Sequence, residues 1–213
     1  MIIDSIQDVK NKVKAACERC NRDSDEVKLI AVSKTLPISR IVEAYEVGHR
    51  IFGESRAQEV REKTPELPND IIWHFIGPLQ TNKIKYVLPV CQLIHSVDSL
   101  HLAEAISEYC KRKELSANIL LEVNTSGEQT KKGINPNDAV NIFIRMRSIP
   151  KINLKGLMTI APFTDDEHDI RNSFKQLAII KKDLQSELDR DQQLELSMGM
   201  SQDYEIAIEE GDA

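Results

Sequence analysis

Leu29-Ile30-Ala31-Val32-Ser33-Lys34-Thr35-Leu36-Pro37 is the stretch whose reading decides the fold. Four consecutive apolar residues followed by a serine, a lysine and then a proline read as a buried strand that ends before Leu36. An open doubly wound sheet usually follows its first strand with a G-x-G-x-x-G or P-loop sequence. Here Ser33-Lys34-Thr35 stands in that place, so the first strand offers an amine where a nucleotide fold would offer glycines. A lysine at the carboxyl end of a buried strand is expected to face a site. Burial would strip its ammonium of solvation, lower its pKa and free the amine for Schiff-base chemistry. The plainer alternative is a strand-end lysine whose stem lies on apolar surface while its head reaches water.

Outward from this stretch, strand-like segments recur near 28–34, 50–53, 71–76, 92–97, 118–124, 154–160 and 193–198, with helical stretches between them. Ile6, Val9, Val13, Ala16 and Cys20 repeat at helical spacing, so the chain opens with a helix from about Ile3 to Cys20. Leu102, Ile106, Tyr109 and Cys110 mark one face of a helix that starts at Asp98-Ser99. Ile170, Phe174, Leu177, Leu184 and Leu188 mark another. Gly48 is placed to end the helix before the second strand. No linker or composition break divides the chain, and a single domain over 1–213 is expected. Strands alternating with helices imply a parallel sheet, either open and doubly wound or closed as a (β/α)8 TIM barrel. Lys34, His74, Asn124, Thr159 and Ser197 all fall near strand ends, which in a barrel face the site. The barrel is preferred, apparently lacking its last strand.

Composition narrows the function. The chain has 213 residues and a net charge of −6, with no long basic block, which does not point to a nucleic-acid partner. No apolar run is long enough to span a bilayer, and the N-terminus lacks a basic region followed by an apolar stretch; no membrane association and a cytoplasmic location are expected. The four cysteines are too scattered for a disulfide framework. Cys17-x-x-Cys20 sits on an amphipathic helix with no partner motif to complete a zinc site, and no metal is expected. Asp165-Asp166-Glu167-His168-Asp169 reads as an acidic helix start. Lys131-Lys132-Gly133 sits on the loop beyond the fifth strand and could border the mouth of the site.

Ser197-Met198-Gly199-Met200-Ser201-Gln202-Asp203 follows the seventh strand and opens a short helix. Glycine admits close backbone approach, the helix start offers unpaired N–H groups, and Ser201 adds a hydroxyl. Loops after strands seven and eight of barrels are frequent phosphate sites. The alternative is an ordinary N-cap at Ser201 or Asp203. A strand-one lysine combined with a strand-seven phosphate loop points to a phosphorylated aldehyde, with pyridoxal 5′-phosphate (PLP) the leading candidate.

Several segments in order carry a resemblance. They are Ala31-Val32-Ser33-Lys34-Thr35, Phe52-Gly53-Glu54-Ser55-Arg56-Ala57-Gln58-Glu59, Trp73-His74-Phe75-Ile76-Gly77-Pro78-Leu79-Gln80-Thr81-Asn82-Lys83, Glu122-Val123-Asn124, Gly156-Leu157-Met158-Thr159 and Ser197-Met198-Gly199-Met200-Ser201. Together they resemble the pyridoxal phosphate homeostasis protein family (the proline synthetase co-transcribed proteins), from the first helix to the last residue. The resemblance implies one barrel like the N-terminal domain of alanine racemase, a PLP fold-type III arrangement. It implies PLP held as a Schiff base on Lys34, with phosphate contacts from Ser201 and the neighbouring backbone of Met200 and Ser197. His74 and Asn82 belong to a family motif around the third strand. Ser55 stands where many family members have asparagine, so a hydrogen bond there must be remade or water-mediated. Family members also continue with a further strand and loop, and the phosphate grip is expected to be weakened in this chain.

The implied function is non-catalytic: a PLP-binding regulator or carrier in intracellular PLP (vitamin B6) and amino-acid homeostasis. The alternative is a PLP-dependent amino-acid racemase or decarboxylase of the same barrel type. Implied partners are PLP, apo PLP-enzymes and free amino acids, and a monomer is expected.

Overall fold

The computed structural model describes residues 2–188 and 193–211. Helix α1 (Ile2–Arg19) precedes strand β1 (Ala31–Val32), helix α2 (Ile38–Glu46), strand β2 (Ile51–Glu54) and helix α3 (Ala57–Lys63). Strand β3 (Ile72–Phe75), helix α4 (Ile84–Val87), strand β4 (Cys91–Val97), helix α5 (Leu100–Lys113) and strand β5 (Ala117–Glu122) follow. The chain then runs through helix α6 (Ala139–Arg147), strand β6 (Ile152–Met158), helix α7 (Glu167–Glu187), strand β7 (Glu195–Ser197) and helix α8 (Tyr204–Glu210). Among the described residues no helix is long and apolar enough to cross a membrane.

Local sequence sets the element ends. Ser99 caps α5 by accepting the Leu102 N–H at 3.3 Å, and Asp166 caps α7 by accepting the His168 N–H at 2.9 Å. Gly48, at φ +89°, follows α2 while its N–H and that of His49 bond back to Tyr45 and Ala44. That closure satisfies carbonyls the helix end leaves free. The acidic cluster at 165–169 is therefore a helix start, as its composition predicts.

All strands are parallel and their spatial order is their chain order, β1 to β7. A doubly wound sheet reverses direction at a switch point; this one never does, so every right-handed crossover rolls it the same way. The curl is visible inside the sheet. His95 Nδ1 on β4 lies 2.7 Å from Ser197 Oγ on β7. Across a flat sheet, three strand spacings would separate them by about 14 Å. Only a rolled sheet brings them into contact across its concave face. The fold is thus the barrel, not the open sheet.

Among the described residues β1 and β7 are the two edges, with no eighth strand between them. The space between these edges is bridged near the amino-terminal end by Lys28 Nζ and Glu195 Oε1, 2.8 Å apart. Outside, the helical layer closes where the sheet does not. Val13, Ala16 and Cys17 of α1 pack on Ile208 of α8, while Arg19 pairs with Glu205 and Glu209. The apolar contact supplies most of that stability, because exposed ion pairs contribute only about 0–1 kcal/mol each.

The register sorts side chains by face. Val32, Gly53 and His74 are partners across β1, β2 and β3 and point inward. Leu93, Leu120 and Met158 meet as a small inner cluster. The larger core lies on the convex face, where Phe52, Phe75, Ile94, Ile119 and Leu121 pack with helix residues such as Ile41, Ile106 and Phe143. Gly156 lets β6 and β7 pair closely: a Cβ there would sit 1.9 Å from the Glu195 carbonyl oxygen.

Candidate functional site

The strands' carboxyl ends form the mouth of the rolled sheet. Strand β1 stops at Val32, and residues 33–36 form a turn closed by the Leu36 N–H to the Ser33 carbonyl at 3.1 Å. Lys34 sits in that turn and is exposed. This corrects the expectation of a buried lysine. Strand β1 pairs with β2 alone, which leaves inward-facing Val32 44% accessible and the next turn open to water. Also, β1 is shorter than the apolar run over 28–34 predicts, because a strand with one partner lacks half of its ladder.

The residues on both sides of Lys34 are tied down. Ser33 is buried; its hydroxyl donates to Glu54 Oε1 at 2.8 Å and its carbonyl accepts from Lys63 Nζ at 2.8 Å. The Thr35 N–H donates to Glu59 Oε2 at 2.7 Å, with Thr35 at φ +63°. Lys63 Nζ also reaches Glu54 Oε1 at 2.7 Å and Glu59 Oε2 at 2.6 Å. Burial opposes the charged forms of Lys63 and Glu59. Bonds from Glu54 and Glu59 outweigh it on Lys63, and those from Lys63 and the Thr35 N–H outweigh it on Glu59, so the Lys63 pKa is raised and the Glu59 pKa lowered.

Ser55, just beyond β2, is half-buried against Gly77; a Cβ on residue 77 would lie 2.3 Å from the Ser55 carbonyl oxygen. The backbone of the third-strand motif therefore presses directly on the Ser55 backbone. His74 is buried inside the curl, its Nδ1 2.9 Å from His95 Nε2. Ser197 completes this chain through His95, so its hydroxyl is held inward. Burial disfavours the imidazolium in both rings, lowering His74 to about 4 and His95 to about 3.

In the loop after β7, Gly199 adopts φ +90° and packs against Tyr204 and Ala207 at the start of α8. The Met200 N–H donates to the Asp203 carboxylate, and the Tyr204 N–H returns to the Met200 carbonyl at 2.9 Å. Asp203 is buried, whereas Ser201 is exposed. The loop thus satisfies part of its own donor set and leaves the Ser201 hydroxyl facing water.

A cavity of about 180 Å³ opens among the ends of β3 to β6, lined by Ile76, Ser96, Glu122, Asn124, Lys131 and Lys132. Glu122 is raised to about 7 by burial, reinforced by the Asp98 charge and opposed by Lys132. A larger hollow of about 370 Å³ lies outside the sheet, where Thr81, Asn82 and Ile84 face Ala105, Glu108 and Tyr109 of α5. Asn82 is exposed there, on the 3-10 turn Thr81–Lys83, away from the strand-end cavity.

The alanine racemase N-terminal domain family matches residues 5–212 of this sequence. The pyridoxal phosphate homeostasis protein of Aquifex aeolicus (strain VF5) is 40% identical over 207 residues, covering 95% of this chain and 89% of that protein. The chain belongs to the pyridoxal phosphate homeostasis protein family. Solved structures agree. An unknown protein from Bifidobacterium adolescentis superposes with a TM-score of 0.94 at 38% identity, covering 99% of this chain and 90% of that one. PipY of Synechococcus elongatus PCC7942, solved with PLP bound, gives a TM-score of 0.80 at 33% identity and covers 94% of both chains.

Within this homeostasis-family chain, the folding of the sheet brings His74 and Ser197 together through His95. It sets Lys34 and Ser55 at the ends of the adjacent strands β1 and β2, and Met200 and Ser201 on the loop beyond the opposite edge strand. Asn82 is not brought to them. His95 and Lys63 lie outside the quoted motifs, and Glu54, Glu59 and Glu122 lie inside them without a role having been assigned. Glu122 carried a signal, since it ends the apolar run Ile119-Leu120-Leu121 of β5 on the inward face.

Proposed function

We propose that this chain is a PLP-binding protein without turnover of its own, one barrel-type unit over 1–213 that holds PLP reversibly through the Lys34 amine. The observation that carries the reading is the position of Lys34. It is an exposed amine at the end of β1, without a hydrogen bond or ion pair among the described residues, on a turn whose backbone is fixed on both sides. PipY, solved with PLP bound, supports the same reading through its likeness in fold and sequence.

The donor set fits the cofactor. Bound there, its aldehyde supplies reversible covalent capture of an amine. Ser201 offers a free hydroxyl for a phosphate oxygen. Met200 has committed its N–H to Asp203 and so shapes the loop, and Ser197, its hydroxyl held by His95, would reach the phosphate only through its backbone, beside Ser201. Ser55 borders the mouth beside β1, and His74 braces the floor beneath it. Exchange with free amino acids or with apo PLP-enzymes would release the cofactor.

Racemisation or decarboxylation needs an acid/base pair poised beside the substrate carbon. The ionisable groups that bond the Lys34 turn, Glu54, Glu59 and Lys63, are locked to one another. Incubating the PLP-loaded protein with a panel of L-amino acids, followed by chiral chromatography and amine analysis, tests the point. The proposal predicts no product beyond one equivalent of protein. Continuing accumulation of D-enantiomer or amine assigns the chain to the enzymes instead.

A further inference from the structure

The Lys63–Glu54–Glu59 cluster is more elaborate than packing requires. Lys63 and Glu54 have side chains only 10% and 0% accessible. An ion pair at that depth is a poor source of stability, because desolvation offsets most of the attraction and an apolar group of similar volume often does as well. Yet all three protons of the ammonium are used, on Glu54 Oε1, Glu59 Oε2 and the Ser33 carbonyl. The partners of this network include both sequence neighbours of Lys34. Ser33 is gripped through its carbonyl and its hydroxyl, and Thr35 through its N–H.

Thr35 makes the geometry more specific. A β-branched residue at φ +63° is strained by about 1–3 kcal/mol and persists only when its surroundings impose it. Here the imposing contact is the Glu59 carboxylate, itself held by Lys63. On an edge strand with two ladder residues, the turn's other backbone bonds are Ser33 N–H to the Gly53 carbonyl and Leu36 N–H to the Ser33 carbonyl, and neither holds Thr35. We infer that Lys63, with Glu54 and Glu59, is a positioning device for Lys34: it fixes the turn and so aims the Lys34 amine at the mouth. Lys63 acts through the turn, bonded to Ser33 and to the carboxylate that holds Thr35. The inference rests on the assignment of Lys34 as the attachment point.

The test uses Lys63→Met, which keeps the stem and removes the donors, together with Lys63→Arg and Glu59→Ala. Without cofactor, hydrogen exchange of the backbone over 33–36 is compared with exchange in α5 and β5. Lys63→Met and Glu59→Ala are expected to speed exchange at Thr35 about tenfold or more, as loss of one charged hydrogen bond allows, while α5 and β5 stay protected. Lys63→Arg restores a donor and should recover part of the protection. With PLP added, borohydride reduction and peptide mapping of Lys63→Met should show label moving from Lys34 to other lysines.

Unchanged Thr35 exchange in Glu59→Ala, together with unchanged Lys34 selectivity, overturns the inference. Glu59→Ala removes only the rim of the network, so it decides the matter even where Lys63→Met does not fold. Lys34→Ala separates the two assignments. If PLP labelling is unaffected by Lys34→Ala, the attachment reading fails, whereas the exchange result still reports on the turn.

Discussion

The buried pair His74–His95 makes the fold acid-sensitive in a way that can be calculated. Burial lowers His74 to about 4 and His95 to about 3, against an ordinary value of 6.5. Both folded-state values lie below the unfolded one, so the unfolded chain binds protons first as pH falls. The stabilisation is complete above about pH 6.5 and is lost progressively as pH falls through the folded values. Between pH 7.5 and 4.5, the shift of His74 alone corresponds to a loss of about 2–3 kcal/mol. Urea denaturation at these two pH values, on the wild type and on His74→Asn, isolates the term. Asparagine keeps a polar atom near the Nδ1 position but does not titrate. Carboxylates contribute equally to both proteins and cancel in the comparison. The variant will be less stable at pH 7.5 because it loses ring volume, yet its stability should fall by about 2–3 kcal/mol less on acidification. An identical pH dependence in the two proteins would refute the claim that His74 is held neutral by burial.

Glu122 works in the opposite sense: its folded value of about 7 exceeds the ordinary 4.5, so its stabilisation is present at low pH and lost as pH rises through 7. Glu122→Gln should therefore remove about 2–3 kcal/mol of the stability difference between pH 5 and pH 8, measured by urea melts. Gly156→Ala forces a methyl group against the Glu195 carbonyl. It should cost about 3 kcal/mol or more and loosen β7, seen as faster amide exchange over 195–197. Lys34→Ala removes an exposed side chain and should change the thermal midpoint little, within about 0.5 kcal/mol, while abolishing covalent PLP capture.

The period of apolar residues made most of the fold legible. Helix α1 at Ile2–Arg19 lies within a residue of its predicted ends, and each predicted strand has its counterpart. Barrel over open sheet followed from the absence of a glycine-rich turn after β1, and the unreversed strand order bears it out. Strand β1 was overextended because apolar content marks burial, whereas a strand exists only where a neighbour completes its ladder. Helix α4 covers four residues, too few to display a period. His95 could not be read as Ser197's partner, since 102 residues separate them and only the curl of the sheet joins them. Glu59 and Lys63, four apart on α3, look in sequence like an ordinary surface pair. Their burial depends on Glu54 and Ser33 arriving from two strands.

The central claim is that Lys34 is the residue that captures PLP. Equilibration with one equivalent of PLP, borohydride reduction, proteolysis and mass mapping tests it most directly. The account predicts a single pyridoxyl adduct, on the peptide containing Lys34 and absent from Lys34→Ala. Labelling spread over surface lysines such as Lys12 and Lys113, with Lys34 unmodified, would contradict it.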